Sequence, residues 1–281
     1  MRYTIGVPSY RGAERLLRFL TSVDHLEYPR KEFNVFIVDD GSPSRDVIHT
    51  IQVARNFGWP VLHWPKNVGL PGGYNALLQN ATGQMLCMFD DDTLIPRNFL
   101  TVMDSLRAHN KFAVAGFISL PMDVERMCAV SADVPVAGDN HAPEFATQLA
   151  GQCFCIDLAQ IQKSGDVWGP DFDTRYRYYI QDSDFCCNCM FLYGLPSYRF
   201  HYPRIPHLEH GTLGTCVELN AEKQVQPDIA AFVEKWKTTP ERQEEVYAAD
   251  LHLPDMTWMT PGGLKTGRPV YKNIPVSKEE S

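Results

Sequence analysis

The 281-residue chain is 44% hydrophobic, enough for one large α/β domain or for a domain with an appendage, and it carries 26 Lys and Arg against 34 Asp and Glu. A formal charge of -8 and a pI near 5.6 leave no basic field to gather phosphate backbones, which disfavours unspecific nucleic-acid binding. The opening MRYTIGVPSYRGAERLL lacks the charged and apolar regions of a secretion signal, and no window approaches the roughly 18 apolar residues of a membrane span, so a cytoplasmic protein without a span is expected.

Residues 3–7 form an apolar strand that ends at Pro8, Ser9 and Tyr10, after which Leu16, Leu17, Phe19 and Leu20 predict a helix. A β-branched run at 34–38 is closed by Asp39, Asp40, Gly41 and Ser42, and Val47, Ile48, Ile51 and Val53 predict a second helix. Residues 59–64 read as a third strand, 72–80 as a third helix, 85–89 as a fourth strand ending in three aspartates, and 98–109 as a fourth helix. This alternation predicts a mainly parallel, doubly wound sheet whose ligands sit beyond the strand carboxyl ends, where the polar motifs fall. Further on, 113–120 and 148–156 read as strands around an irregular 122–146, 228–236 as a late helix, and 251–281 as a surface tail. The eight cysteines, among them Cys153, Cys155, Cys186, Cys187 and Cys189, do not form the two C-x-x-C pairs of a zinc site, so reduced, mostly buried thiols are expected.

Asp90, Asp91 and Asp92 follow an apolar strand directly, so folding crowds like charges unless a cation or hydrogen-bond donors neutralise them. A hard divalent ion bridging carboxylates and a diphosphate is one solution; an acidic cap on the helix begun near Pro96 and Asn98 is the other. The second acidic strand end, at Asp39 and Asp40, has in Gly41 a turn that lets a ligand approach closely, but taken alone a solvated turn explains it as well. Tyr176, Tyr178 and Tyr179, interleaved with Arg175 and Arg177, alternate as a half-buried strand does, and that reading is preferred to a phosphate or nucleic-acid grip. Trp168 suits either sugar stacking or packing, and Lys235 and Trp236 suit either a cover over a donor or a cover over the core. No G-x-x-x-x-G-K-[ST] loop is present, which argues against nucleotidyl or phosphoryl transfer.

The segments GVPSYRGAERLLRFLTSV, IVDDGS, KNVGLPGGYNALLQNATGQMLCMFDDDTLIPRNFL, AGQCFCI, GDVWGPDFDTRYRYYIQDSDF and YRFHYPRIPHLEHGT resemble, in order, the family 2 type of GT-A glycosyltransferases. That resemblance implies an α/β GT-A fold: a doubly wound, mainly parallel sheet, a smaller acceptor-side sheet and a C-terminal helical or irregular extension. Residues 1–215 would form the transferase domain, with 1–112 the nucleotide-binding half and 113–215 the acceptor half, and 216–281 would hold a helix and an extended tail. The implied activity is inverting transfer of a sugar, dependent on Mn2+ or Mg2+, from a nucleotide diphosphate. UDP-hexose is the default donor, and the acceptor a glycan, a lipid-linked intermediate, a protein or a modified nucleic-acid base. A non-catalytic nucleotide-sugar or carbohydrate-binding module on the same fold is the alternative.

Residue by residue, the resemblance gives Asp39 the nucleobase edge, with Pro8 and Tyr10 bordering the base, and Asn67 and Gly73 beside the ribose. Arg11, Asp40 and Asp91 are further expected donor-site residues. Asp92 is expected to ligate the metal directly, with Asp90 at the metal or ribose and His207, or its rival His210, completing the site. Asp182 takes the position of the general base. Gln181 replaces a usual glutamate, Asn188 a frequent arginine and Asp157 a common basic residue, departures that bear on donor and acceptor identity.

Overall fold

A computed structural model describes residues 1–121, 143–146, 149, 151–162, 171–207, 219–236 and 240; the expectations for Trp168, His210 and the tail lie outside these residues. Strand β1 (Tyr3–Ser9) is buried at every position, as a central parallel strand covered on both faces must be. It pairs in parallel with β2 (Phe33–Asp39) on one side and with β4 (Met85–Phe89) on the other, and β3 (Val61–His63) extends β2. The chain thus leaves β1 in one direction and returns on its other flank, which opens a crevice at the carboxyl ends of β1 and β4.

Helix α1 (Ala13–Asp24) buries Leu16, Phe19, Leu20 and Val23, one stripe at helical spacing, while Leu17 faces solvent. Helix α2 (Ser44–Asn56) buries Val47, Thr50 and Ala54 and exposes Ile48, so its inner face is narrower than its run of apolar residues suggests. Helices α3 (Leu70–Asn80) and α4 (Phe99–His109) precede and follow β4. Alternation along β4 sorts the core: Met85, Cys87 and Phe89 join one apolar cluster with α1 and α4, while Leu86 and Met88 join the other with Tyr74 and Leu77 of α3.

The second half continues the same sheet. Strand β7 (Cys153–Asp157) runs antiparallel between β4 and β5 (Val114–Pro121), β8 (Ser197–His207) lies parallel to β5, and the short β6 (Glu144–Phe145) closes the edge. The described strands form one eight-stranded sheet in the order β3-β2-β1-β4-β7-β5-β8-β6. Helix α5 (Leu158–Gln162) follows β7, and α6 (Gln181–Tyr193) and α7 (Ala221–Trp236) complete the described elements. Cys87, Cys153, Cys155, Cys186, Cys187 and Cys189 are free and buried, as expected.

The expected strand over 175–179 does not form; that segment is a series of turns and bends. Its backbone is wound around a buried carboxylate far away in sequence. Asp228 of α7 accepts the N–H groups of Arg177, Tyr178 and Tyr179 at 2.9–3.2 Å, and Gln224 Nε2 donates to it as well. Three successive N–H groups aimed at one anion cannot also serve a ladder. The alternation of tyrosines here reflects a different packing, with Tyr176 and Tyr178 turned in and Arg175 and Arg177 out.

Candidate active site

The three aspartates after β4 go three ways. Asp91 turns inward, accepting from Arg15 Nε at 2.9 Å and Ser9 Oγ at 2.6 Å, and so ties the β4 end to β1 and α1. A Cβ on Gly12 would meet Asp91 Oδ2 at 1.8 Å, so this inward carboxylate needs glycine there. Thr93 donates both its N–H and its hydroxyl to the Asp90 carbonyl, closing the turn that fans the carboxylates apart.

Asp90 and Asp92 turn toward His207, the last residue of β8, brought there by its bridge to Thr93 and by the Leu94 N–H bonded to the Pro206 carbonyl. One ligand atom from each of Asp90, Asp92 and His207 lies within 4.8 Å of the others, and His207 Nε2 is 3.3 Å from Asp92 Oδ1. Burial, and next the charge on Asp92, holds the Asp90 carboxyl above the ordinary range. Two carboxylate oxygens and an imidazole nitrogen at this spacing suit a divalent cation, which would relieve that repulsion. Of the two candidate histidines, His207 lies at the cluster and His210 falls outside the described residues.

The β2 end and the loop before α3 are built around each other. Asp39 Oδ1 accepts from the Ser42 N–H and contacts His63 Nδ1, each at 2.9 Å, while its buried Oδ2 has no hydrogen-bond partner among the described residues. Asp40 accepts the Val68 N–H at 2.7 Å and the Gly69 N–H at 3.0 Å, and burial still pushes it up to about 7. Gly41 has a φ of 75°, and a Cβ there would strike the Lys66–Asn67 peptide at 2.1–2.2 Å, so the two loops touch backbone to backbone. Asn67 donates to the Asp40 carbonyl and accepts from Arg177 and Tyr178.

Pro8, Tyr10, Asp40, Asn67, Asp90 and His207 line one cleft, with Asp91, Asp92 and Tyr178 also in its wall. Asp39 lies under that wall, fully covered, whereas Asp40 reaches it. Gly73 packs against Pro8, where an added Cβ would stand 3.4 Å from the proline ring. Arg11, at a φ of 51°, donates its N–H to Ser42 Oγ and pairs with Asp46 at 3.0 Å, so it braces the first loop against α2.

Asp182 stands in the first turn of α6, after Ile180 in the left-handed region. Its Oδ1 accepts the Ser183 N–H at 2.8 Å. Burial raises its carboxyl to about 6 against backbone N–H groups of Ser183, Asp182 itself and Gly151. Sequence reasoning passed over Tyr74, whose buried hydroxyl is 3.4 Å from Asp90 Oδ1; the signal available was its place directly after Gly73, in the helix leading to β4.

Neighbouring polar residues hold the scaffold. Buried Asp184 accepts from Tyr176, Asn188, Lys235 and Trp236 at 2.7–3.0 Å, which assigns Lys235 and Trp236 to anchoring α7 on α6. Asp157 takes a two-pronged bond from Arg107 at 2.7 and 3.1 Å. Gln181 is buried, and its Oε1 has no hydrogen-bond partner among the described residues.

Residues 4–124 match the model of the Glycosyl transferase family 2 family. Over this segment the chain is similar to the family 2 glycosyltransferases. The chain is 28% identical over 109 residues to the uncharacterized glycosyltransferase YfnE of Bacillus subtilis, covering 39% of this chain and 27% of that protein. It is 27% identical over 101 residues to the poly(ribitol-phosphate) β-N-acetylglucosaminyltransferase TarS of Staphylococcus aureus, covering 36% of this chain and 18% of TarS. It therefore spans only a minor part of these curated relatives. Among solved structures, the mannosyltransferase PcManGT of Pyrobaculum calidifontis, in complex with GDP-Man and Mn2+, superposes with a TM-score of 0.61 at 17% identity over 95% of this chain and 76% of that one. TarS 1-349 in complex with UDP-GlcNAc gives 0.57 at 15% identity over 94% and 83%. The fold around this segment is GT-A.

Proposed function

We propose that the chain is an inverting, metal-dependent glycosyltransferase that moves a sugar, a hexose carried on UDP in our reading, from a nucleoside diphosphate to an acceptor hydroxyl. The observation that carries this reading is the convergence of Asp90, Asp92 and His207 at the floor of a cleft on the carboxyl ends of β1 and β4. Asp92 and Asp90, with His207, would hold Mn2+ or Mg2+, and that ion would neutralise charge growing on the leaving diphosphate. Support for a nucleotide donor comes from the UDP-GlcNAc and GDP-Man bound by TarS and PcManGT.

In this reading Asp39 serves the nucleobase end of the cleft from beneath its wall, and Pro8 and Tyr10 border the base. Asp40, Asn67 and Gly73 shape the ribose side, Arg11 steadies the first loop, and Asp91 fixes the metal turn through Arg15. The Asp182 carboxylate takes the acceptor hydroxyl proton while the acceptor oxygen bonds to the anomeric carbon. The bond from that carbon to the diphosphate oxygen breaks, its electron pair leaving with the nucleoside diphosphate, so configuration inverts. The acceptor belongs to the class of glycans, lipid-linked intermediates, proteins or modified nucleic-acid bases. Six free, buried thiols support a reducing, cytoplasmic setting, and among the described residues no helix is long and apolar enough to cross a membrane.

The test is thermal unfolding with UDP and GDP, with and without Mn2+, because a ligand of the native state alone raises the melting temperature. UDP should stabilise the protein only when Mn2+ is present, and Asp92→Ala should remove that dependence. Equal stabilisation of both proteins without metal would refute the assignment.

A further inference from the structure

Gly151, just before β7, has neither of the usual reasons to be glycine. It is absent from the residues with positive φ, and an added Cβ would make only ordinary contacts. Those contacts are informative: among the described residues other than its chain neighbours, the Cβ position comes within 4 Å only of Tyr74 Oη, at 3.4 Å, and Asp182 Oδ2, at 3.6 Å. The missing side chain leaves a notch walled by two polar oxygens.

Each wall is fixed by its own partners. Tyr74 is held by ring packing on Phe172 at 5.0 Å and by its hydroxyl contact with Asp90 at 3.4 Å, a long hydrogen bond that exchanges easily. Asp182 is held by backbone N–H groups, the Ser183 N–H on Oδ1 at 2.8 Å among them. Tyr74 is itself buried, whereas Gly151 and Asp182 are partly open to solvent, so the notch is entered from their side.

Resting on the reading of Asp182 as the base, we propose that this notch seats the acceptor hydroxyl, with Asp182 Oδ2 receiving its proton and Tyr74 Oη orienting its oxygen toward the metal side of the cleft. The site takes an alcohol group, and water is the smallest member of that class. Tyr74 thereby becomes a specificity and positioning residue that joins the metal cluster to the base, and Gly151 sets the width of the entry.

The experiment is a high-resolution crystal structure of the full chain with UDP and Mn2+, for the wild type and for Gly151→Ala, together with donor hydrolysis by Gly151→Ala and Tyr74→Phe. An ordered water should bridge Tyr74 Oη and Asp182 Oδ2 in the wild type and be lost from Gly151→Ala, with UDP and Mn2+ unmoved. Hydrolysis of UDP-GlcNAc, UDP-glucose or GDP-mannose, whichever the wild type turns over, should fall about tenfold or more in both variants while the Kd for UDP with Mn2+ stays the same. A notch that is dry or filled by a protein side chain while UDP and Mn2+ are bound overturns the inference alone, and so do wild-type rates in both variants. Failure to bind UDP and Mn2+, or wild-type turnover by Asp182→Asn, overturns the transferase reading instead.

Discussion

Asp91 is buried and Asp182 partly open to solvent, and their partners set them apart. Asp91 spends both oxygens on Arg15 and Ser9, a charge and a hydroxyl that offset part of the burial that still raises its carboxyl. Gly12→Ala, with its Cβ 1.8 Å from Asp91 Oδ2, should break that arrangement and cost about 2–4 kcal/mol, read from denaturant unfolding. Asp182 has backbone partners and a carboxyl raised to about 6. Turnover should therefore be level above about pH 7 and fall tenfold per unit below about 6, where the base carries a proton. Asp182→Asn should cut kcat by roughly a hundredfold to ten-thousandfold with UDP affinity retained. On stability the sign is opposite. The folded carboxyl binds its proton more tightly than the ordinary 3.8, so Asp182 favours the fold at low pH and weakens it as pH climbs through about 6. Unfolding free energy measured across that window should be flatter in the Asn variant.

At the scale of elements, what the sequence made legible was whatever local pattern decides. The buried run 85–89 and the stripe of Leu16, Phe19 and Leu20 declare strand and helix through spacing alone, and three consecutive aspartates mark the strand end that meets His207. Segment 175–179 was misread because its conformation is decided by Asp228, some fifty residues on, and no window of neighbours contains that anion. Tyr74 was passed over for a related reason: only the tertiary approach of Gly151 and Asp90 gives its hydroxyl a role. Asp228→Ala should leave three N–H groups without their acceptor and cost about 2–4 kcal/mol, with hydrogen exchange rising at 177–179 before it rises in β1 or β4.

For the whole molecule, the sheet divides the work. Parallel strands β1, β2 and β4 end at the cleft, and antiparallel β7, beside β4, follows Gly151, which lies next to Asp182 of α6. The match to the family 2 model ends at residue 124, well before Asp182 and His207, so it does not reach the residues proposed as the base and as the third metal ligand. Helix α7 lies further still along the chain, and through Asp228 it supplies the anion around which residues 177–179 are wound. A fragment cut at residue 215 would keep every side chain assigned to bond making and breaking and lose the anchor for the segment leading into α6. Such a piece should still take up nucleotide with manganese while transferring sugar poorly, so excising the apparent catalytic core would uncouple holding a donor from using it.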